Sequence, residues 1–181
     1  MRYAKINSLD ISNGESVGVA IFVQGCPFHC RGCFNEETWD FNGGKEWNED
    51  VEKKFIELIS KPYVKRVSIL GGEPLANQNL EFTYYLMSLI VNYKPNAKIW
   101  LYTGYTFENI IKDERSNGKW FNILRYCIMR GCNYFVDGQF DIDKQDLTYS
   151  KVKFAGSTNQ RIIDVQKTIQ EKQIVLWEES S

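Results

Sequence analysis

Residues 24–35 read QGCPFHCRGCFN and set Cys26, Cys30 and Cys33 in a C-x3-C-x2-C array. The array follows directly on the apolar run VGVAIFV at 17–23, so three of the five cysteines sit on a loop leaving a predicted strand. A loop this short can fold so that three thiolates converge on one inorganic centre. Thiolates are the ligands of iron–sulfur clusters, and three of them leave one iron of a four-iron cluster without a protein ligand, open to a substrate. The same thiolates also suit part of a zinc site, with His29, Cys127 or Cys132 as fourth ligand, although adjacency to Cys30 makes His29 an awkward partner in one tetrahedron. Unligated cysteines are the third reading, and the array alone leaves all three open.

Upstream, residues 1–14 read as a short strand and a turn closing at Asn13-Gly14. The run 17–23 is apolar on both faces, as a buried strand is. Downstream, a polar connection passes Trp39 and Asn42-Gly43-Gly44 to Asn48, the expected N-cap of a helix that puts Val51, Phe55, Leu58 and Ile59 on one face and ends before Pro62. A strand over 67–70 runs straight into Gly71-Gly72-Glu73-Pro74. Asn79 begins a second helix, with Phe82, Tyr85, Leu86, Leu89 and Ile90 at helical spacing. A third strand, 97–102, ends at Thr103-Gly104-Tyr105, and 107–130 is mostly helical with a break near Asn117-Gly118. A fourth strand, 134–136, ends at Asp137-Gly138. Beyond it a strand is expected over 151–154, and 161–165 and 174–177 read as short strands around a polar link.

Alternating strands and helices imply an α/β fold of parallel βαβ units. At 181 residues the chain is short of the roughly 250 typical of an eight-unit barrel. The expected fold is therefore an open partial (β/α) barrel with mostly parallel strands, one domain spanning 1–181. The unusual motifs sit at the C-terminal ends of predicted strands, where α/β sheets place ligand sites. A single site built from several strand ends follows.

Composition narrows the field. Lys and Arg number 22 against 23 Asp and Glu, a formal charge of −1, so no electrostatic case arises for nucleic acid or anionic membrane. The opening MRYAKINSLDIS carries no signal-like apolar run, and no segment approaches a membrane span. Five cysteines, three of them clustered, suit a reduced cytoplasm better than a disulfide framework. A cytoplasmic location is expected.

In Gly71-Gly72-Glu73-Pro74, two residues tolerant of positive φ precede a carboxylate and a rigid turn. The glycines let a ligand approach the backbone and leave carbonyl oxygens that suit an ammonium group. On its own this is an ordinary turn; one strand after a C-x3-C-x2-C loop it says more.

Taken together, the cysteine array and GGEP give a chain that resembles the radical S-adenosylmethionine enzymes. Within them it is similar to the activating proteins of anaerobic ribonucleoside-triphosphate reductase. FVQGC, CFNEETW, LYTGYT, VDGQF and FAGSTNQRIIDV match in order and cover most of the chain. The resemblance implies that Cys26, Cys30 and Cys33 ligate a [4Fe-4S] cluster, whose fourth iron takes the amino and carboxylate groups of S-adenosyl-L-methionine. It implies that Gly71, Gly72 and Glu73 line the methionine end, and that Gly32 and Phe34 flank the third cysteine with the Phe34 ring near adenine. No side chain is implied as acid or base: a 5′-deoxyadenosyl radical takes a hydrogen from a glycine Cα of the reductase. Reduced flavodoxin or a similar protein is the implied electron donor.

For His29 a tuning hydrogen bond competes with a plain solvent-facing position. For Thr103 and Asp137 a cofactor contact competes with strand-end turn chemistry. Asn159, Gln160 and Arg161 are open between cofactor and reductase. NGESVG stands where the family often has glycine-proline, and Cys127 and Cys132 have no counterpart in its pattern. An activase of another glycyl-radical enzyme, a small-molecule radical enzyme and a metal-binding module without turnover are the rival functions.

Overall fold

Five strands carry the apolar runs read above, and two short edge strands complete the sheet. In a computed structural model, which describes residues 1–117, 119–145 and 153–179, the strands are β1 (Arg2–Asp10), β2 (Gly18–Val23), β3 (Lys45–Glu46), β4 (Arg66–Gly71), β5 (Lys98–Tyr102), β6 (Tyr134–Asp137) and β7 (Arg161–Asp164). They form one sheet in the order β3-β1-β2-β4-β5-β6-β7. The centre, β2-β4-β5-β6, is parallel, whereas β1 runs antiparallel to both β2 and β3 and β7 antiparallel to β6. The expected α/β fold holds, but parallel pairing is confined to the centre of the open sheet; its margins are antiparallel because β1 returns to β2 through the 11–17 loop and β7 comes back along β6.

The helices are α1 (Glu49–Ile59), α2 (Leu80–Tyr93), α3 (Phe107–Asn117), α4 (Trp120–Gly131) and α5 (Val165–Glu171). Asn48 caps α1, its side chain accepting from the Val51 N–H at 3.0 Å. Asp164 does the same for α5 through the Lys167 N–H at 3.0 Å. That helix replaces the polar link expected between two strands. Of those two strands only the first forms; residues 174–177 contribute a single bridge, Leu176 to Ile163. The strand expected over 151–154 begins outside the described residues, and Lys153 and Phe154, within them, lie in a turn.

Two faces of the sheet differ. Residues from all five helices, among them Phe55, Leu86, Ile110, Ile128 and Val165, pack with Val19, Ile21, Val67, Ile69, Leu101 and Phe135 on one face. Alternate strand residues point the other way, where Ala20, Phe22 and Leu70 make one small cluster and Trp100, Val136 and Ile162 another. Loop residues Phe154 and Trp177 cover part of that second face. No described helix is long and apolar enough to cross a membrane.

At the N-terminal end of β4, Arg66 is fully buried and pairs with Asp10 at 2.8 Å. Its guanidinium also donates to the carbonyls of Asp10, Asn13, Glu15 and Ser16 and to the Ser68 hydroxyl. NGESVG therefore needs no proline: the loop is fixed from inside by one arginine. Burial would raise the Asp10 carboxyl, yet the hydrogen bonds from Arg66 and Asn13 hold it below its usual range. Removing one partner strands the other charge in the interior, so Asp10→Ala is expected to lower stability by about 3 kcal/mol or more. Urea denaturation checks this, and a loss under about 1 kcal/mol, the range of an exposed pair, would refute it.

Candidate functional site

Four turns leave the C-terminal ends of β2, β4, β5 and β6, and because these strands are parallel all four lie on one edge of the sheet. They wall a cavity of about 640 Å³ that Cys26, Cys30, Cys33, Phe34, Gly71, Gly72 and Glu73 line together. The cavity continues over the helix-free face, past Phe22, Leu70 and Tyr102 to Lys5 and Lys153.

The cluster loop and the β4 turn are joined by backbone. The Gly25 carbonyl accepts from the Glu73 N–H at 2.8 Å and from Asn79 Nδ2 at 3.1 Å. Asn79, expected to open α2, sits at its N-cap position but makes no side-chain cap; its amide also donates to the Glu73 carbonyl at 2.9 Å. Only Gly71 of the two turn glycines has positive φ, +107°. Gly72 is required for a different reason: a Cβ there would strike the Gly25 carbonyl oxygen.

Glu73 is 1% exposed, and its carboxylate is filled by the protein. Oε1 accepts from the Leu75 N–H at 2.8 Å and the Thr103 hydroxyl at 2.7 Å, and Oε2 from the Gly104 N–H at 2.7 Å. The side chain thereby ties the β4 turn to the β5 turn. Burial pushes its pKa up to about 7, against those three hydrogen bonds and the positive charge of Arg125, which favour the carboxylate. Thr103, ambiguous in sequence, is thus the partner of Glu73 at a cavity wall.

Elsewhere the placements differ from residue to residue. Phe34 is 63% exposed at the cavity mouth and meets Phe140 with ring centroids 5.0 Å apart, so it is no core residue. Gly32 does not line the cavity; Ile142 packs where its side chain would be. His29 is exposed and stacks on Trp39 at 4.7 Å. Asp137 is buried, accepting from the Phe107 N–H at 2.9 Å and pairing with Arg161, which is turn and helix-end chemistry. Asn159 and Gln160 donate to the Gln139 and Gly138 carbonyls at 2.9 Å each and brace the β6 turn. Gln139 and Phe140, cavity residues that sequence reasoning passed over, carried their signal only as part of VDGQF.

The donor set suits a thiolate-bound cluster. Three cysteines, all half-buried, share the cavity, while Cys127 is exposed on α4 and Cys132 is buried after it, neither lining the cavity. Burial pushes the Cys26 thiol up to about 11 and raises Cys30, so any iron held by them would have to displace their protons. Among the described residues no three His, Cys, Asp or Glu side chains are gathered so as to hold one metal ion. A cluster asks less, because its thiolates bind different irons.

Relatives speak to the same group. The profile of a family described as a 4Fe-4S single cluster domain matches residues 12–163. The chain is 33% identical over 162 residues to the anaerobic ribonucleoside-triphosphate reductase-activating protein of enterobacteria phage T4, covering 90% of this chain and 93% of that one. It is 30% identical to the protein of that name from Pasteurella multocida, over 90% of this chain and 96% of the other, and 31% identical to that from Escherichia coli K12, over 88% and 96%.

Two outcomes follow from the joint. Gly72→Ala is expected to push the β4 turn off the cluster loop and reduce iron retained after anaerobic reconstitution; full retention would show that the loop does not depend on the turn. For Glu73, a pKa raised from 4.5 to about 7 means that its contribution to stability is complete below pH 4.5 and lost as pH rises through 7, on the order of 3 kcal/mol. Glu73→Gln should flatten that part of the pH–Tm profile of the iron-free protein, and an unchanged profile would place the titration elsewhere.

Proposed function

Because the chain belongs to the family of anaerobic ribonucleoside-triphosphate reductase-activating proteins, we propose that it is the enzyme that installs a glycyl radical on such a reductase. The observation that carries this reading is the meeting of three cysteines with the GGEP turn in one cavity at the parallel strand ends. The cofactors supply the hard chemistry: a reduced [4Fe-4S] cluster with S-adenosylmethionine bound provides a 5′-deoxyadenosyl radical.

The protein's own part is to hold, orient and keep water away. Cys26, Cys30 and Cys33 would ligate the cluster, leaving one iron for the amino acid end of S-adenosylmethionine. Gly71, Gly72 and Glu73 would line that end. The Glu73 side chain is engaged by Thr103, Gly104 and Leu75, which leaves its role as shaping the turn, so an ammonium group would be met by main-chain oxygens. Phe34, with Phe140 behind it, offers a ring at the mouth for adenine. Phe22 and Leu70 give the cavity an apolar floor that keeps water from a reactive carbon centre.

We read the whole chain as one radical S-adenosylmethionine unit and the open sheet as an incomplete (β/α) barrel. All five helices pack on one face, and the cavity lies over the other, so a partner has a side from which to reach it. A glycine-bearing segment of the reductase would close that side during turnover. Reduced flavodoxin or a similar protein would supply the electron, and neither nucleic acid nor membrane enters the scheme.

Replacing Cys26, Cys30 or Cys33 by alanine should each abolish the visible absorbance of the reconstituted cluster, while Cys127→Ala and Cys132→Ala should leave it. With reductase, S-adenosylmethionine and reductant, the protein should produce an organic radical EPR signal on the reductase, lost when the radical-bearing glycine of that partner is alanine. Robust turnover of a free nucleotide by this chain alone would overturn the reading.

A further inference from the structure

Behind the cavity lies a buried cation that the cysteine and GGEP readings do not use. Arg125, on α4, is 9% exposed. Its Nε donates to the Leu75 carbonyl at 2.8 Å, just past GGEP, and Nη2 to Asn77 Oδ1 at 2.5 Å. Nη1 donates to Asn122 Oδ1 at 2.9 Å, and Nη2 also reaches the Tyr105 hydroxyl at 3.3 Å. The guanidinium carbon lies 4.7 Å from the centre of the Tyr105 ring. Tyr105 in turn meets Phe28 edge-on at 5.1 Å, and Phe28 stands between Cys26 and Cys30 in the cluster loop.

Every one of these hydrogen-bond partners is neutral, and none of the ion pairs among the described residues includes Arg125. A guanidinium keeps its charge under any ordinary condition. No carboxylate is hydrogen-bonded to it; its charge acts at a distance on the buried Glu73 carboxylate, and burying a cation without a direct partner costs more than burying an apolar side chain of the same length. What the planar fork does provide is geometry. One group grips the β4 turn through Leu75 and Asn77 and the cluster loop through Tyr105 and Phe28, with donors in fixed directions that a lysine lacks.

We propose that Arg125 is a positioning residue that sets the distance between the cluster loop and the GGEP turn, and with it the fit of S-adenosylmethionine between them. Arg125 does not line the cavity and touches no reacting atom. It acts from α4 along two arms, one to each wall of the site. The proposal rests on the functional reading above, and it assigns α4 a part in the site that neither the cysteine array nor GGEP reveals.

The test is the affinity for S-adenosylmethionine, read from the change in the EPR spectrum of the reduced, reconstituted cluster, alongside Tm of each variant. Arg125→Lys keeps the charge and loses the fork; it is expected to fold and to weaken binding about tenfold. Tyr105→Phe keeps the ring contacts and should bind as the parent does, whereas Tyr105→Leu should match Arg125→Lys. Since both changes cut the same arm, the double variant Arg125→Lys/Tyr105→Leu should bind no worse than about the weaker single one. Parental affinity in Arg125→Lys, or losses that multiply in the double variant, would overturn the proposal. If Arg125→Lys does not fold, Tyr105→Leu alone decides, with parental affinity counting against it. A parent protein that fails to bind S-adenosylmethionine would instead sink the functional reading itself.

Discussion

The Gly25 carbonyl is the point on which the site turns. It lies two residues past the end of β2, precedes the first cysteine by one residue, and accepts hydrogen bonds from the Glu73 N–H and the Asn79 side chain. A carbonyl has two acceptor positions, and here both are taken by the neighbouring turn. The approach is so close that the facing residue, Gly72, has no room for a side chain. The cluster loop is therefore not a free loop carrying three thiols. It is clamped to the next parallel strand, and the thiols inherit the rigidity of the sheet.

From that clamp the tie continues sideways. Glu73 carries it to Thr103 and Gly104 after β5, and Gly138 donates its N–H to the Tyr105 carbonyl at 3.2 Å, bringing in the turn after β6. Each link crosses one strand, so the whole C-terminal edge is one connected network. Its cost is a carboxylate buried among neutral donors, which is why the Glu73 pKa lies well above that of an exposed glutamate. Buried polar networks of this kind are worth having only when each member is satisfied, and Glu73 is.

The opposite end of the sheet uses a different device. Arg66 gathers the carbonyls of the 10–16 loop around a charge paired with Asp10, which fixes the return from β1 to β2 without help from proline. Between the two ends the sheet is asymmetric, with helices on one face and the cavity over the other. That asymmetry leaves an approach for a macromolecular partner, which a sheet covered by helices on both faces would not have.

Much of this was legible in residue order. The apolar runs located the four parallel strands because a buried strand needs unbroken hydrophobicity, and the punctuation after each run located the turns. Since parallel strands put like ends together, placing the motifs at strand ends was enough to predict that they share one site. Local chemistry also reached Asn48, whose cap depends on residues three positions away. What spacing could not reach were the antiparallel margins, helix α5 within a polar stretch, and the roles of Gly72, Glu73 and Asn79. Those roles depend on contacts with residues 25, 103 and 104, far off in sequence, and a glycine needed for clearance looks in sequence like a glycine needed for φ. So the sequence by itself determined which candidate residues stand at strand ends, because residue type and strand-end position are local properties. Only the tertiary structure decided which of them face the cavity and which hold it in shape, because that depends on how the neighbouring strands pack.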